Sequence, residues 1–81
     1  MRLDKFLKVS RLIKRRTVAN EVCDSARVFV NNNPAKPAKQ LKVGDMISIE
    51  YKNAIKSYKI LILPMGNVPV NIANTLYEEI V

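Results

Sequence analysis

The chain has 81 residues and a formal charge of +7, with 14 lysines and arginines, 7 acidic residues and no histidine. This length fits one small domain, and an apolar fraction of 48% is typical of a globular chain. No apolar run approaches the roughly 20 residues of a membrane helix, and the charged N-terminus does not resemble a secretory signal. One cysteine excludes an internal disulfide, so a reduced, cytoplasmic setting is expected.

The positive charge is concentrated near the N-terminus. Residues 1–16 contain seven cations and one acidic residue, a net charge of +6, and the rest of the chain carries only +1. A field of this kind points to a polyanionic partner, either nucleic acid or an anionic lipid surface. A solvated cationic face is the simpler alternative, but interspersed surface charge does not require cations to be grouped in one place.

Two short amphipathic patterns flank the basic turn Lys14–Thr17. In the first, Leu3, Phe6 and Leu7 recur at helical spacing, and Lys5, Lys8 and Arg11 project from the other side. The second pattern opens at Thr17, a predicted N-cap, and continues with the apolar residues Val18, Ala19, Val22, Cys23 and Ala26. Two helices that bury these stripes leave the basic turn exposed.

The remaining chain is predicted to form a small sheet followed by a helix. Alternating apolar residues predict strands over 27–31, 46–51 and 55–63, with a loop over 35–41 and a turn over 64–67. The short connection between the last two strands predicts antiparallel pairing. From about Val70, the spacing of Ile72, Ala73, Leu76 and Ile80 predicts a final helix with Glu78 and Glu79 at its C-terminal end. The predicted fold is α+β: two N-terminal helices packed on a small antiparallel sheet, with a C-terminal helix.

The residue inventory argues against catalysis. There is no histidine to act as a base, and two glycines cannot form a glycine-rich phosphate loop. Cys23 is predicted to be a buried, inert thiol, and we expect no metal ion and no cofactor. Phe6 and Phe29 are predicted to belong to the core, and Tyr51 and Tyr58 to strands, so all four should pack against the protein rather than stack on bases.

The candidate RNA-binding residues are the cations of the first helix and the turn, with the residue that follows them: Arg2, Lys5, Lys8, Arg11, Lys14, Arg15, Arg16 and Thr17. Arginine can donate two parallel hydrogen bonds to a phosphate, so Arg2, Arg11, Arg15 and Arg16 are stronger candidates than the lysines. Arg2 joins this surface only if the backbone there opens toward the second helix. Sparse aromatic residues favour structured RNA over single strands.

Four ordered motifs then resemble the S-four domain, an αL-type RNA-binding module: residues 2–7 (RLDKFL), 14–19 (KRRTVA), 27–31 (RVFVN) and 42–45 (KVGD). The resemblance covers roughly residues 2–50 and extends, in length and opening sequence, to the RqcP and small ribosome-associated heat-shock protein family. With the predicted elements, we expect residues 1–63 to form an S-four-type RNA-binding domain with its sheet extension, and residues 64–81 to form a C-terminal turn and helix. Many members have glycine where this chain has Ala26, and a left-handed backbone there would cost alanine roughly 1 kcal/mol.

The resemblance also implies a function. Members of this family bind rRNA and tRNA on a free large ribosomal subunit and steady the P-site tRNA during rescue of stalled ribosomes, in cooperation with the tail-elongating factor RqcH. By position in the family motif, Arg2 and Arg16 would face the RNA, with Lys14 and Arg15 beside them. Asp4 would orient a neighbouring arginine or the helix start rather than touch RNA. The expected protein is a non-catalytic, monomeric adaptor without a membrane partner. The alternatives are a general structured-RNA, ribosome-assembly or heat-shock module, a peripheral binder of anionic surfaces, and a piece of an RNA-modifying enzyme.

Overall fold

The computed structural model describes residues 1–66 and 68–80. Helix α1 spans Leu3–Val9 and helix α2 spans Arg16–Asp24. The strands are β1 (Val28–Val30), β2 (Asn33–Pro34), β3 (Met46–Tyr51), β4 (Ala54–Ile60) and β5 (Tyr77–Ile80), and a 3₁₀ helix spans Val70–Leu76. The fold class is α+β, with three helices and an antiparallel sheet in the order β2-β1-β3-β4-β5.

One face of the sheet and the helices share a single hydrophobic core. Leu3, Phe6 and Leu7 are fully buried on α1, as the helical spacing predicts. From the sheet, the core includes alternating residues of three adjacent strands: Val28, Val30, Ile47, Ile49, Tyr58 and Ile60. Because successive side chains of a strand point to opposite faces, Phe29 lies on the other face, outside this core. The prediction that Phe29 belongs to the core was therefore wrong.

A residue with a left-handed backbone follows each helix of the N-terminal pair: Arg11 follows α1, and Ala26 follows α2. Ala26 follows α2 with φ 59°, its N–H donates to the Cys23 carbonyl, and the Arg27 N–H donates to the Val22 carbonyl. These two bonds form a Schellman motif, which normally places glycine at the left-handed position. Ala26 thus adopts the left-handed backbone itself, and it is exposed, so the prediction that it belongs to the apolar stripe of α2 was wrong.

The C-terminal segment differs from its prediction. A helix is present from Val70, but it is a 3₁₀ helix that ends at Leu76. Residues 77–80 instead form β5, which pairs with β4, so Glu78 lies opposite Lys59 rather than at a helix end. The extension of the helix to Ile80 was wrong, and β4 ends at Ile60, three residues before its predicted end. The predicted turn over 64–67 and the predicted C-terminal segment over 64–81 each include a residue, 67 and 81 respectively, that lies outside the described residues.

Candidate nucleic-acid interface

A buried carboxylate connects the two helices at the basic surface. Asp4 is 1% exposed and lies in the first turn of α1. Arg2 donates to it from Nε to Oδ1 and from Nη2 to Oδ2, each at 3.2 Å. Arg16 of α2 donates from Nε to Oδ2 at 3.2 Å and from Nη2 to Oδ1 at 3.4 Å. The two guanidinium groups therefore converge on one carboxylate, although 14 positions separate them in the chain.

Local geometry explains why Asp4 reaches both arginines. Arg2 precedes α1 in an extended conformation, with φ −72° and ψ 150°, so its side chain can return to the first helical turn. On α2, Asn20 lies one turn after Arg16 on the same face, and its Nδ2 donates to Asp4 Oδ2 at 2.9 Å and to the Arg16 carbonyl at 3.1 Å. The Lys5 backbone N–H also donates to Asp4, to Oδ1 at 2.8 Å. Arg2 therefore reaches the same carboxylate as Arg16 of α2.

Asp4 stays ionised in this setting. Burial by itself raises the pKa of a carboxyl, but the hydrogen bonds from Arg16 and Asn20, together with the Arg16 charge, hold the pKa of Asp4 below its ordinary value of 3.8. The ionised carboxylate thus fixes both guanidinium groups by charge-assisted hydrogen bonds.

Both arginines keep donors free for a ligand. Their side chains are 46% and 45% exposed, for Arg2 and Arg16 respectively. A guanidinium group has five N–H donors in a plane, and each arginine uses Nε and one donor of Nη2 on Asp4. The remaining N–H groups of the two arginines form an oriented pair of anion-binding groups.

The other predicted residues surround this pair to different extents. Lys14, Arg15 and Thr17 are exposed at the basic turn and the start of α2, and Lys5 and Lys8 are half-buried on α1. Arg11 is exposed just after α1, in a left-handed conformation with φ 63°. Whether these side chains contact RNA stays a prediction.

The role predicted for Thr17 as N-cap was wrong. Helix α2 begins at Arg16, its N-cap is Arg15, and no side chain caps it. Two residues of the predicted α2 stripe, Ala19 and Cys23, are buried, whereas Val18 is 40% exposed. Helix α2 therefore has a narrower apolar face than the sequence pattern indicates.

Sequence reasoning missed Asn20. Its position four residues after Arg16 could have indicated a shared helical face, but only the packing of α2 against α1 brings it to Asp4. The expectation that Asp4 orients an arginine is confirmed by its bonds to Arg2 and Arg16.

The cysteine and two of the aromatic residues that the sequence analysis considered are buried in the protein. Cys23 is 1% exposed, and burial raises the pKa of its thiol to about 11, so it is a poor nucleophile. Phe6 and Tyr58 are buried as predicted, whereas Tyr51 is 40% exposed. Within the described residues, no group of histidine, cysteine and acidic side chains could hold a metal ion. No helix in the same part of the chain is long and apolar enough to cross a membrane.

Comparison with known proteins finds the same fold and motif. The S4 domain model matches residues 1–47. The RQC P-site tRNA stabilizing factor of Halalkalibacterium halodurans is 48% identical, over 96% of this chain and 88% of the relative. The trimeric structure of Vibrio cholerae Heat Shock Protein 15 superimposes with a TM-score of 0.89, 29% identity and coverage of 99% of this chain and 81% of that one. The solution structure of the hypothetical protein HP1423 gives a TM-score of 0.86, 38% identity and coverage of 100% and 98%.

The fold and the paired arginines, together with the matched domain, define a small RNA-binding module. The chain belongs to the S4 domain family, in the group that includes the RQC P-site tRNA stabilizing factors and Heat Shock Protein 15.

Proposed function

We propose that this protein binds the large ribosomal subunit and contacts rRNA and P-site tRNA together during rescue of stalled ribosomes. The observation that carries the proposal is the convergence of Arg2 and Arg16 on Asp4, because two fixed guanidinium groups suit the phosphates of folded RNA. The name of the matched relatives, RQC P-site tRNA stabilizing factor, supports the same role.

The proposed contact surface is the helical hairpin, residues 2–24, with the eight candidate residues as its RNA contacts: Arg2, Lys5, Lys8, Arg11, Lys14, Arg15, Arg16 and Thr17. The uncapped start of α2 adds backbone donors beside Arg16. In this proposal residues 1–63 form the RNA-binding unit, and β5 of the C-terminal segment completes its sheet. The protein acts without catalysis in the cytoplasm, as a monomer, and RqcH is the proposed protein partner.

The central test replaces Arg16. We expect Arg16→Ala to weaken binding to large ribosomal subunits by about tenfold or more, since a charge-assisted contact contributes about 1.5–3 kcal/mol. Binding is measured by co-sedimentation with purified subunits that carry peptidyl-tRNA. Lys59→Ala is the matched control, because Lys59 is exposed on β4 and its neighbours Tyr58 and Ile60 point to the core instead. Equal losses from Arg16→Ala and Lys59→Ala would mean diffuse attraction and would contradict the proposal.

The alternative readings predict other results. A peripheral membrane binder needs apolar groups beside its cations, but Leu3, Phe6 and Leu7 are 0% exposed. Flotation of the protein with anionic vesicles, in preference to sedimentation with subunits, would favour that alternative. A general structured-RNA or heat-shock module would bind subunits equally well with and without P-site tRNA.

A further inference from the structure

A second pair of cations lies beside Arg2, outside the helical hairpin. Lys36, Pro37, Ala38 and Lys39 form a tight turn in which the Lys39 N–H donates to the Lys36 carbonyl at 3.0 Å. We call this segment the lysine turn. The first and last residues of such a turn have Cα atoms less than about 7 Å apart. Both lysines are exposed, whereas Pro37 between them is buried.

The lysine turn is fixed against the start of α1. The Leu3 N–H donates to the Lys39 carbonyl at 2.8 Å, and the Asp4 N–H donates to the Pro37 carbonyl at 3.1 Å. The next residue, Gln40, forms an antiparallel bridge with Arg2. The chain on either side of the turn is anchored in the core by Ala35 and Leu41. The turn therefore has a defined position next to Arg2, although it belongs to a loop.

The charges of the lysine turn have no ion-pair partner in the part of the chain that the structure describes. Residues 25–44 contain four cations and no acidic residue. Among the described residues, the ion pairs within 4.0 Å are those of Arg2 and Arg16 with Asp4, so neither Lys36 nor Lys39 meets a carboxylate there. Two like charges held close together on one short turn repel each other in the free protein, and a polyanion that bridges them removes this repulsion.

We propose that the lysine turn is a second phosphate-binding site, which takes the sugar-phosphate backbone of the RNA bound by the helical hairpin. The contacts place Arg2 between the two groups of cations: the lysine turn adjoins it through the Leu3 backbone and the Gln40 bridge, and Arg16 adjoins it through Asp4. The proposed RNA-binding surface thus continues from the helical hairpin into the loop that contains the lysine turn. Within the lysine turn there is no aromatic residue, so its contacts are with the backbone rather than with stacked bases.

This inference rests on the proposed function, and salt dependence tests it separately. The affinity for large ribosomal subunits is measured by co-sedimentation over a series of KCl concentrations, for wild type and for Lys36→Ala/Lys39→Ala. Each lost phosphate contact lowers the steepness of log affinity against log salt by about 1. We therefore expect the double variant to lose about 2 from the slope. The matched control, Lys56→Ala/Lys59→Ala, removes the same charge from β4 and should keep the wild-type slope.

The outcomes distinguish the two proposals. If Lys36→Ala/Lys39→Ala keeps the wild-type slope while Arg16→Ala weakens binding, the lysine turn is not a phosphate site and the proposed function stands. If the two double variants lose equal slope, the effect is one of net charge and this inference is wrong. If Arg16→Ala also leaves binding unchanged, the proposed function fails. A Lys36→Arg/Lys39→Arg variant keeps both charges and should restore the slope, and matching thermal unfolding of all variants confirms that each is folded.

Discussion

Asp4 determines where two arginines point without itself facing the solvent. The Asp4→Asn substitution removes one negative charge, so a purely diffuse attraction to RNA would become stronger. We expect the opposite, a loss of about tenfold in affinity for large ribosomal subunits, because Arg2 and Arg16 lose their charge-assisted anchors. Co-sedimentation of wild type and Asp4→Asn measures the difference. Tighter binding by the variant would show that arginine orientation is unimportant.

The ionisation of Asp4 also links stability to pH. Its pKa is lower in the folded protein than the ordinary value of 3.8, because the hydrogen bonds from Arg16 and Asn20 outweigh the effect of burial. A lowered carboxyl pKa contributes stability that is complete above the unfolded pKa and is lost as the pH falls through the folded pKa. We expect the difference in unfolding free energy between wild type and Asp4→Asn to be constant near neutral pH and to shrink below about pH 4. Denaturant titrations across this range measure it, and a difference independent of pH would contradict the assignment.

Ala26 occupies a backbone conformation that favours glycine. With φ 59° in a Schellman motif, its Cβ meets the steric penalty of the left-handed region. We expect Ala26→Gly to stabilise the protein by about 0.5–1 kcal/mol, measured by urea unfolding. The control is Ala19→Gly, which lies inside α2 and is buried, and it should destabilise by about 1 kcal/mol or more. The same sign for both substitutions would contradict the conformational argument.

At the scale of elements, two residues of the C-terminal segment that were predicted to share one helical stripe differ in burial. Leu76 is 3% exposed in the core, whereas Ile72 is 43% exposed on the 3₁₀ helix. We expect Leu76→Ala to cost about 2–4 kcal/mol of unfolding free energy, and Ile72→Ala to change it by less than about 0.5 kcal/mol. Thermal or urea unfolding tests both. Similar losses would indicate that these residues form one buried stripe of an α-helix, as their spacing predicts.

The elements that could be predicted are those whose pattern is set locally. The helical spacing of Leu3, Phe6 and Leu7 correctly predicts α1, and alternation correctly predicts β3 over Met46–Tyr51. Spacings of three and four residues do not distinguish an α-helix from a 3₁₀ helix, so the type of the final helix was not determined by the sequence. Strand β5 depends on pairing with β4, a contact distant in sequence that no local pattern reports.

The candidate site also has features that the sequence shows and features that depend on tertiary contacts. Clustered cations are visible in the sequence, and so is the preference of phosphates for arginine. The shared use of Asp4 by Arg2 and Arg16 arises from the packing of α1 against α2. The position of the lysine turn arises from backbone hydrogen bonds between residues 33 and 36 positions apart. Both are tertiary contacts, and an isolated sequence pattern does not contain them.

At the scale of the whole molecule, the exposed Arg2 and Arg16 lie next to an apolar core and are connected to the helices through the buried Asp4. Arg2, Arg16 and the lysine turn contact the start of α1, and the apolar side chains of this helix are buried in the core. The core beneath is continuous from α1 through β1, β3 and β4. A ligand that binds the hairpin therefore holds elements that share their packing with the entire sheet, and its binding free energy adds to the stability of the folded state.

Cys23 offers a direct measure of this linkage. Its thiol is 1% exposed beneath α2, and burial raises its pKa to about 11, so an alkylating reagent reacts only when the core opens. We expect labelling by iodoacetamide to be slow at neutral pH and to accelerate with urea in parallel with unfolding. Large ribosomal subunits at a free concentration about 100 times the dissociation constant should slow it by about 100-fold. Lys59→Ala should retain this protection, and Arg16→Ala should lose most of it at the same subunit concentration. A labelling rate independent of urea would show that Cys23 opens locally, without unfolding of the domain.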